Sequence, residues 1–205
     1  DWTASVSVES AEQIPVTGPL VITSNHPGII DAMAVLANLP RTDVLTIART
    51  RNLLHTLHNV SEHIIFVRDG EETAALRSAI RHLRKGGAIL TFPRGEIEPD
   101  PALYPEAAAD SLDDWSESVE LLVRRVPGTQ LVPAYVSGVI SERALRHPLS
   151  RIYRQRAVRD YVAATLQIMF ARFRDTHVTV TFGAPLAGSD IKISNISAAI
   201  REAHP

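Results

Sequence analysis

The sequence predicts an α/β fold in which a mainly parallel central sheet is flanked by helices. Short apolar segments alternate along the chain with segments of helical periodicity, and this alternation is typical of strand–helix–strand units. The apolar segments are continuous, as expected for strands that are buried on both faces. Because the 205 residues contain no obvious linker or internal repeat, we expect a single domain over residues 1–205.

The first clear strand is predicted over residues 19–23 and leads into a tight turn. This segment is apolar almost throughout, and a Pro-Gly pair shortly after it interrupts the strand. Apolar residues then recur at helical spacing, which predicts a helix over residues 29–39. His26 is therefore expected on the turn, and Asp31 in the first turn of the helix, where the helix dipole favours a carboxylate.

The remaining elements follow from the same patterns. Further strands are predicted at residues 43–48, 63–68, 88–92, 131–136 and 178–182, with an edge strand at residues 6–8. Helices are predicted at residues 49–54, 71–85, 115–127 and 190–203, with two more in 141–174 divided near residue 147. The segment 94–111 is predicted to be irregular.

His26 and Asp31 can fold back on each other across the turn. The carboxylate can accept a hydrogen bond from one imidazole nitrogen and fix the tautomer, which leaves the other nitrogen free as a base. Such a pair is suited to removing a proton from a hydroxyl group. The spacing alone is a weak motif, and the alternative interpretation is a helix-capping Asp beside an incidental His.

Four groups of candidate residues follow the carboxyl ends of predicted strands, where parallel sheets bind their ligands. They are His26 with Asp31, Arg49 with Arg51, Arg68 alone, and Phe92-Pro93-Arg94-Gly95-Glu96. Guanidinium groups bind phosphate or carboxylate in a bidentate manner, and a glycine lets the backbone approach a ligand. We therefore expect a base beside an anion-binding site at this edge of the sheet.

These residues resemble the sequence blocks of the glycerolipid acyltransferase superfamily, the PlsC-like or lysophosphatidic acid acyltransferase group. The blocks lie in the family's order within residues 19–137. They are Asn25-His26 with Asp31, Ile65-Phe66-Val67-Arg68, Phe92-Pro93-Arg94-Gly95, and Val132-Pro133. The last third of the chain carries no matching block.

The resemblance implies a glycerol-3-phosphate acyltransferase-like fold and an O-acyltransferase similar to the 1-acylglycerol-3-phosphate acyltransferases of phospholipid biosynthesis. It implies that His26 deprotonates the acceptor hydroxyl and that Asp31 orients His26. The acyl donor is then acyl-CoA or acyl carrier protein, and no bound cofactor is expected. We expect substrate to be bound by Asn25, Arg49, Arg51, Arg68, Phe92, Pro93, Arg94, Gly95 and Glu96.

The third block departs from the family pattern Phe-Pro-Glu-Gly-Thr-Arg-Ser. Arg94 stands where the family has Glu, and Glu96-Ile97-Glu98 stands where it has Thr-Arg-Ser. Carboxylates beside a phosphate are unfavourable, so the acceptor is open: a less usual lipid, or an alcohol without phosphate. Alternatively, Arg94 forms a structural ion pair with Glu96 or Glu98.

The mechanism is expected to be a direct displacement. The chain has no Cys and no Gly-x-Ser-x-Gly segment, so no acyl-enzyme is indicated. Backbone N–H groups near Gly28 or around Gly95 are candidates for stabilising the oxyanion. Two alternatives stay open: a thioesterase- or esterase-like hydrolase that uses the same pair on water, and a non-catalytic lipid-binding member of the family.

Charge and hydropathy restrict the partners. A formal net charge of −2 argues against nucleic acid, and no apolar run is long enough to span a bilayer. Residues 143–174 are strongly basic, which favours an anionic partner such as a membrane surface. We expect a cytoplasmic protein that is peripheral at the membrane, although an N-terminal segment could precede Asp1.

Two further features carry smaller expectations. The helices of residues 141–174 have a broad apolar face that serves either the core or an acyl groove. His55, His58 and His63 lie close together, but no carboxylate or Cys at ligand spacing completes a metal site. No metal is expected.

Overall fold

A computed structural model describes residues 5–50, 58–188 and 191–203 and contains one eight-stranded sheet in these ranges. The strands are β1 (Ser5–Glu9), β2 (Leu20–Ser24), β3 (Val44–Arg49), β4 (Ile64–Val67), β5 (Ala88–Thr91), β6 (Gln130–Ser137), β7 (His177–Phe182) and β8 (Leu186–Ala187). Their order across the sheet is β1-β7-β6-β2-β5-β3-β4, with β8 also paired to β6.

The sheet is mainly parallel, as predicted. Strands β2 to β6 all run in the same direction, whereas β7 and β8 are antiparallel to β6 and β1 is parallel to β7. Thr23 of β2 lies opposite Thr91 of β5 and Pro133 of β6. The carboxyl ends of the three central strands therefore lie side by side.

Helices cover both faces of the sheet. In the described part of the chain they are α1 (Asp31–Ala37), α2 (His58–Ser61), α3 (Glu72–Arg84), α4 (Pro105–Ser111), α5 (Ser118–Arg125), α6 (Glu142–Leu145), α7 (Pro148–Arg151), α8 (Arg156–Met169) and α9 (Ile193–Ala203). Short 3₁₀ turns lie at Ala11–Gln13, Leu112–Asp114 and Ala171–Phe173.

The continuous apolar character of β2 follows from burial on two sides. All five of its residues are buried. Leu20 and Ile22 pack with α1, α6 and α8 on one face, whereas Val21 packs with α3, α5 and α9 on the other. Because successive side chains of a strand point to opposite faces, a central strand needs apolar residues at every position.

The structure corrects several element boundaries. The segment 94–111 is not wholly irregular, because α4 forms its last part. The helix predicted from residue 115 begins at Ser118, since Trp115 is extended with φ −68° and ψ 134°. Residues 141–174 contain three α-helices instead of two, and the break near residue 147 is as predicted.

Two further predictions concern the segment after β3 and the strand nearest the N-terminus. Arg49 ends β3 instead of opening a helix, and the remainder of the predicted helix 49–54 lies mostly outside the described residues. The edge strand expected at residues 6–8 is part of β1, which lies at one edge of the sheet. Within the described ranges, no helix is long and apolar enough to cross a membrane.

Candidate active site

The turn after β2 is held to the neighbouring strand β6 by the side chain of Asn25. Its Nδ2 donates to the carbonyl of Val136 at 2.8 Å, and its Oδ1 accepts from the N–H of Val136 at 2.7 Å. Asn25 is only 3% exposed. These bonds use its amide for the protein's own main chain, so Asn25, which the sequence analysis assigned to substrate binding, fixes the position of the turn.

His26 and Asp31 meet across this turn. Nδ1 of His26 lies 2.7 Å from Oδ2 of Asp31, and the Asp31 side chain is completely buried, whereas the His26 side chain is 29% exposed. Because an ionised carboxylate only accepts hydrogen bonds, Nδ1 is the donor and Nε2 carries the free lone pair. Nε2 has no hydrogen-bond partner within the described ranges.

The Asp31 carboxylate is itself fixed by the backbone. Oδ2 also accepts the N–H of Gly28 at 3.1 Å, and Oδ1 accepts the N–H of Ala32 at 2.6 Å. A Cβ atom on Gly28 would lie 3.1 Å from Cγ2 of Val139, so a glycine suits this close approach. These backbone hydrogen bonds fix the orientation of the Asp31 carboxylate independently of His26.

The electrostatic surroundings of His26 favour its protonated form. Burial is the largest single influence and lowers its pKa, but the charge of Asp31, its hydrogen bond and the charge of Glu98 together outweigh burial. The net effect raises the pKa of His26 above its usual value. An imidazole in this setting binds a proton more readily than one in water.

Glu98 is a site residue that the sequence analysis did not assign. Its side chain is 0% exposed. One carboxylate oxygen, Oε2, accepts the backbone N–H of His26 at 2.8 Å, and the N–H of Glu98 donates to the carbonyl of His26 at 2.8 Å. The other oxygen accepts from Trp115 Nε1 at 2.9 Å and lies 3.1 Å from Ser111 Oγ, whose hydroxyl is 2.7 Å from the Ala108 carbonyl. The sequence signal that could have pointed to Glu98 is that it stands where the family pattern has Ser.

A second buried carboxylate fixes the segment after β5 to the end of β6. Asp100 is 0% exposed and accepts N–H groups from Gly138 at 2.8 Å, Ile140 at 2.9 Å and Ala102 at 3.0 Å. Burial raises the pKa of Asp100 in spite of these bonds, and burial likewise raises the pKa of Glu98. Through their hydrogen bonds to His26 and to the end of β6, Glu98 and Asp100 hold this segment in place.

The third block forms a turn beside the imidazole. The Phe92 ring centroid lies 4.6 Å from that of His26, with the planes tilted by 31°. The N–H of Gly95 donates to the carbonyl of Phe92 at 3.0 Å, and Gly95 has φ +71°, which favours glycine. Pro93 is buried, and Gly95 and Glu96 are exposed.

Arg94 forms an ion pair, but not with the partners considered from sequence. Its Nη2 lies 3.4 Å from Oδ2 of Asp114, whose side chain is 66% exposed. Glu96 and Glu98 were the partners considered from the sequence. The Arg94 charge opposes the rise that burial causes in the pKa of Glu98. Because the Asp114 carboxylate is largely exposed, a pair of this kind contributes little to stability.

Arg49 and Arg68 lie apart from the imidazole. Together with Thr50, Val67 and Asp69 they line an open pocket of about 360 Å³ where β3 and β4 end. Strands lie about 4.8 Å apart, so β3 and β4 lie about 10 Å and 14 Å to the side of β2. Both arginines are exposed. Arg51, assigned to the same site, lies outside the described residues.

The basic stretch 143–174 is only partly free to bind an anion. Arg143 pairs with Asp175, Arg146 with Glu142, and Arg156 with Asp160. The apolar face of these helices is divided: Val162, Leu166 and Phe173 belong to the core. The exposed apolar surface of α7, α8 and their flanks comprises Leu149, Ile152, Tyr153, Tyr161, Ile168, Met169 and Phe170.

Of the three histidines weighed as metal ligands, His63 alone has a described side chain, and that side chain is exposed. No group of three or more His, Cys, Asp or Glu side chains in the described ranges could hold a metal ion. His55 lies outside these ranges, and the side chain of His58 is not described.

The geometry defines a class of protein: an α/β fold with a histidine–carboxylate pair at the carboxyl end of a central parallel strand. The sequence profile described as Acyltransferase matches residues 5–141, and the chain belongs to this acyltransferase family.

In structure the chain is similar to the 1-acyl-sn-glycerophosphate (LPA) acyltransferase PlsC from Thermotoga maritima. The TM-score is 0.61 at 16% identity, over 98% of this chain and 70% of the other. The likeness at this identity shows the fold. No curated protein matches the sequence.

Proposed function

We propose that this acyltransferase moves a fatty acyl group from an acyl thioester to a hydroxyl of a glycerolipid-type acceptor. Acyl-CoA and acyl carrier protein are the donors that we propose, His26 is the general base, and Asp31 orients it. The observation that carries the proposal is the 2.7 Å contact between His26 Nδ1 and Asp31 Oδ2. It leaves Nε2 available to take a proton.

In the proposed reaction the acceptor oxygen attacks the thioester carbonyl directly. Nε2 of His26 takes the hydroxyl proton as the new C–O bond forms. The tetrahedral intermediate then collapses, the C–S bond breaks, and the thiolate receives the proton from the imidazolium. A sequence without Cys offers no cysteine nucleophile for an acyl-enzyme, which supports a single displacement.

The oxyanion donors that we propose lie next to Gly28, in one of the two regions named from the sequence, but they are not the glycine N–H groups themselves. The N–H of Gly28 donates to Asp31 and that of Gly95 donates to Phe92, so both are occupied. The N–H groups of Ile29 and Ile30 belong to the same turn as His26, and neither has a hydrogen-bond partner among the described residues. We assign these two to the developing oxyanion.

The acceptor is proposed to carry a phosphate that the Arg49–Arg68 pocket binds. Neither side chain is buried, and Arg68 has one weak surface pair, with Glu71 at 3.4 Å. Both guanidinium groups are therefore available to a phosphate. Glu96 is exposed, and its carboxylate can turn to solvent, which reduces its repulsion of an anionic acceptor.

We propose further that the exposed apolar surface of α7 and α8 contacts the membrane that supplies the lipid. Ile152 is 70% exposed and Met169 is 65% exposed, which favours contact with an apolar phase. Arg151 and Arg154 lie beside Ile152 in the sequence and are both exposed. Such a mixture of apolar and basic side chains is typical of surfaces that bind anionic bilayers.

The test is acyl transfer by the purified chain. Acyl-CoA and acyl carrier protein donors are offered with acceptors that carry or lack a phosphate, and products are separated by mass. His26→Ala is expected to lower kcat by about two to four orders of magnitude. His63→Ala is the matched control, since this histidine is exposed and is expected to leave kcat unchanged.

Each product pattern has a distinct meaning. Acylated acceptor that depends on His26 supports the proposal. Free fatty acid that depends on His26, formed equally with and without acceptor, would instead establish a hydrolase. Lipid binding without turnover, unaffected by His26→Ala, would establish a non-catalytic member. Normal transfer by folded His26→Ala would refute His26 as the base.

A further inference from the structure

We propose that Glu98 is a positioning residue of acyl transfer: its buried carboxylate accepts the main-chain N–H of His26 and places a negative charge near the imidazole. This role rests on the proposed function of His26 as the base. Glu98 touches neither the acyl donor nor the acceptor in this scheme, so it acts through His26.

The backbones of His26 and Glu98 are joined in both directions. The N–H of Glu98 donates to the His26 carbonyl at 2.8 Å, while the N–H of His26 donates to Oε2 of Glu98 at 2.8 Å. His26 belongs to the turn after β2 and Glu98 to the segment after the neighbouring β5. The two bonds therefore fix the base against the segment that also carries Phe92.

Each oxygen of the buried Glu98 carboxylate accepts an N–H group. Glu98 is 0% exposed, and one N–H group donates to each oxygen: the His26 N–H to Oε2 at 2.8 Å and Trp115 Nε1 to Oε1 at 2.9 Å. An ionised carboxylate only accepts hydrogen bonds, which suits this set. A neutral amide in its place would turn one N–H group toward a donor and lose a bond.

Two carboxylates face His26 from different elements. Asp31 at the start of α1 bonds Nδ1, and Glu98 after β5 bonds the main chain, while the uncharged Phe92 ring covers one side of the imidazole. Arg94 is the cation that acts on Glu98. The charge of Glu98 adds to that of Asp31 in raising the pKa of His26. Both charges stabilise the imidazolium that forms when His26 takes the proton.

The decisive variant is Glu98→Gln, measured by NMR titration of the His26 ring without any substrate. We expect the pKa of His26 to fall and kcat to fall by about tenfold or more. Glu117→Gln is the matched control, because this carboxylate is exposed and only two residues beyond Trp115. An unchanged His26 titration in folded Glu98→Gln would overturn the inference.

A conservative variant separates charge from position. Glu98→Asp keeps the charge but shortens the side chain by one methylene group, so it cannot reach both the His26 N–H and the Trp115 indole. We expect it to retain most of the raised pKa of His26 while kcat falls and KM changes little. Loss of stability with an unchanged kcat in both Glu98 variants would show a structural role alone and overturn the proposal.

A measurement on the unmodified chain covers the case in which Glu98→Gln does not fold. The amide proton of His26 donates to Glu98, so it should shift when that carboxylate is protonated, at a midpoint above 4.5 because burial raises its pKa. An amide shift that stays constant through the acid titration, while exposed carboxylates titrate, would overturn the inference.

These outcomes distinguish the two proposals. If Glu98→Gln lowers the pKa of His26 but His26→Ala still transfers acyl groups, the proposed base is wrong and the contact between the two residues stands. If His26→Ala abolishes transfer and Glu98→Gln changes neither the His26 titration nor kcat, only the positioning role is wrong.

Discussion

His26 and Glu98 exchange two hydrogen bonds although 72 residues separate them in the sequence. This contact holds the turn that carries His26 from one side, and the bond between His26 Nδ1 and Asp31 holds it from the other. The imidazole is thereby restrained through its ring and through its main chain. A base that is held before substrate arrives avoids the cost of ordering it during the reaction.

Asp31→Asn is expected to remove most activity while preserving the fold. The amide can donate to Nδ1 of His26, which places the ring proton on Nε2 and leaves no free base. We expect kcat to fall by about two to four orders of magnitude, measured with the donor and acceptor that the unmodified chain prefers.

The buried position of Asp31 requires a parallel measurement of stability. Its carboxylate accepts backbone N–H groups from Gly28 and Ala32, so the variant should lose about 1–3 kcal/mol of unfolding free energy. Circular dichroism melts at matched concentration check that the loss of activity is not loss of fold. A folded variant with kcat within about threefold of the unmodified chain would contradict the orienting role.

The pH dependence of kcat/KM is expected to follow the raised pKa of His26. A base must be neutral to accept a proton, so activity falls as the pH drops through that pKa. Because the pKa is raised, the acidic limb should have its midpoint above about 6.5. Initial rates in constant-ionic-strength buffers between about pH 5 and 9 measure it. A midpoint near 4 would instead point to a carboxylate base.

Arg49→Gln with Arg68→Gln is expected to discriminate between acceptors. If the pocket at the ends of β3 and β4 holds a phosphate, the double variant should raise KM for a phosphorylated acceptor by about tenfold or more and change kcat little. Rates with an acceptor that lacks phosphate should not change.

The control for this pair is Arg146→Gln. Arg146 is a surface residue that pairs with Glu142 on α6, and its loss should leave both acceptors unaffected. Equal effects of the double variant on both acceptors would assign the two arginines a role other than phosphate binding.

Ile152→Ser with Met169→Ser is expected to weaken binding to lipid vesicles. The two side chains are 70% and 65% exposed, and their transfer into a bilayer interface is favourable through apolar burial. Co-sedimentation with vesicles of phosphatidylcholine and phosphatidylglycerol should show an affinity lower by about tenfold or more.

Val16→Ser is the matched control for the lipid experiment. Val16 is 64% exposed and precedes β2, outside the proposed membrane surface. If the control and the double variant bind vesicles equally well, the exposed apolar surface of α7 and α8 is not the membrane contact.

The fold class was accessible from sequence because it depends on local patterns. A strand such as β2, with all five residues buried, must be apolar at every position, and α3 must repeat its buried residues Ala75, Ala79 and Leu83 at helical spacing. These regularities reflect backbone geometry. The pairing of His26 with Asp31 was also accessible, because only one turn separates them.

Where sequence patterns were wrong, a local signal was weak or ambiguous. Residues 105–111 form α4 although the surrounding segment reads as irregular, since its alanines pack only partly against the protein. Trp115 was placed within a helix, but its indole donates to Glu98 from an extended position before α5. A buried hydrogen bond here outweighs helical periodicity.

Contacts between distant segments required the tertiary structure. The sequence shows that residues 94 and 98 are charged. It does not show that Glu98 is buried and accepts the His26 N–H, or that Arg94 pairs with Asp114. Likewise, the strand order sets Arg49 and Arg68 to one side of His26. Sequence periodicity records which face of an element is buried, whereas partners across the sheet depend on strand order and register, which no local pattern encodes.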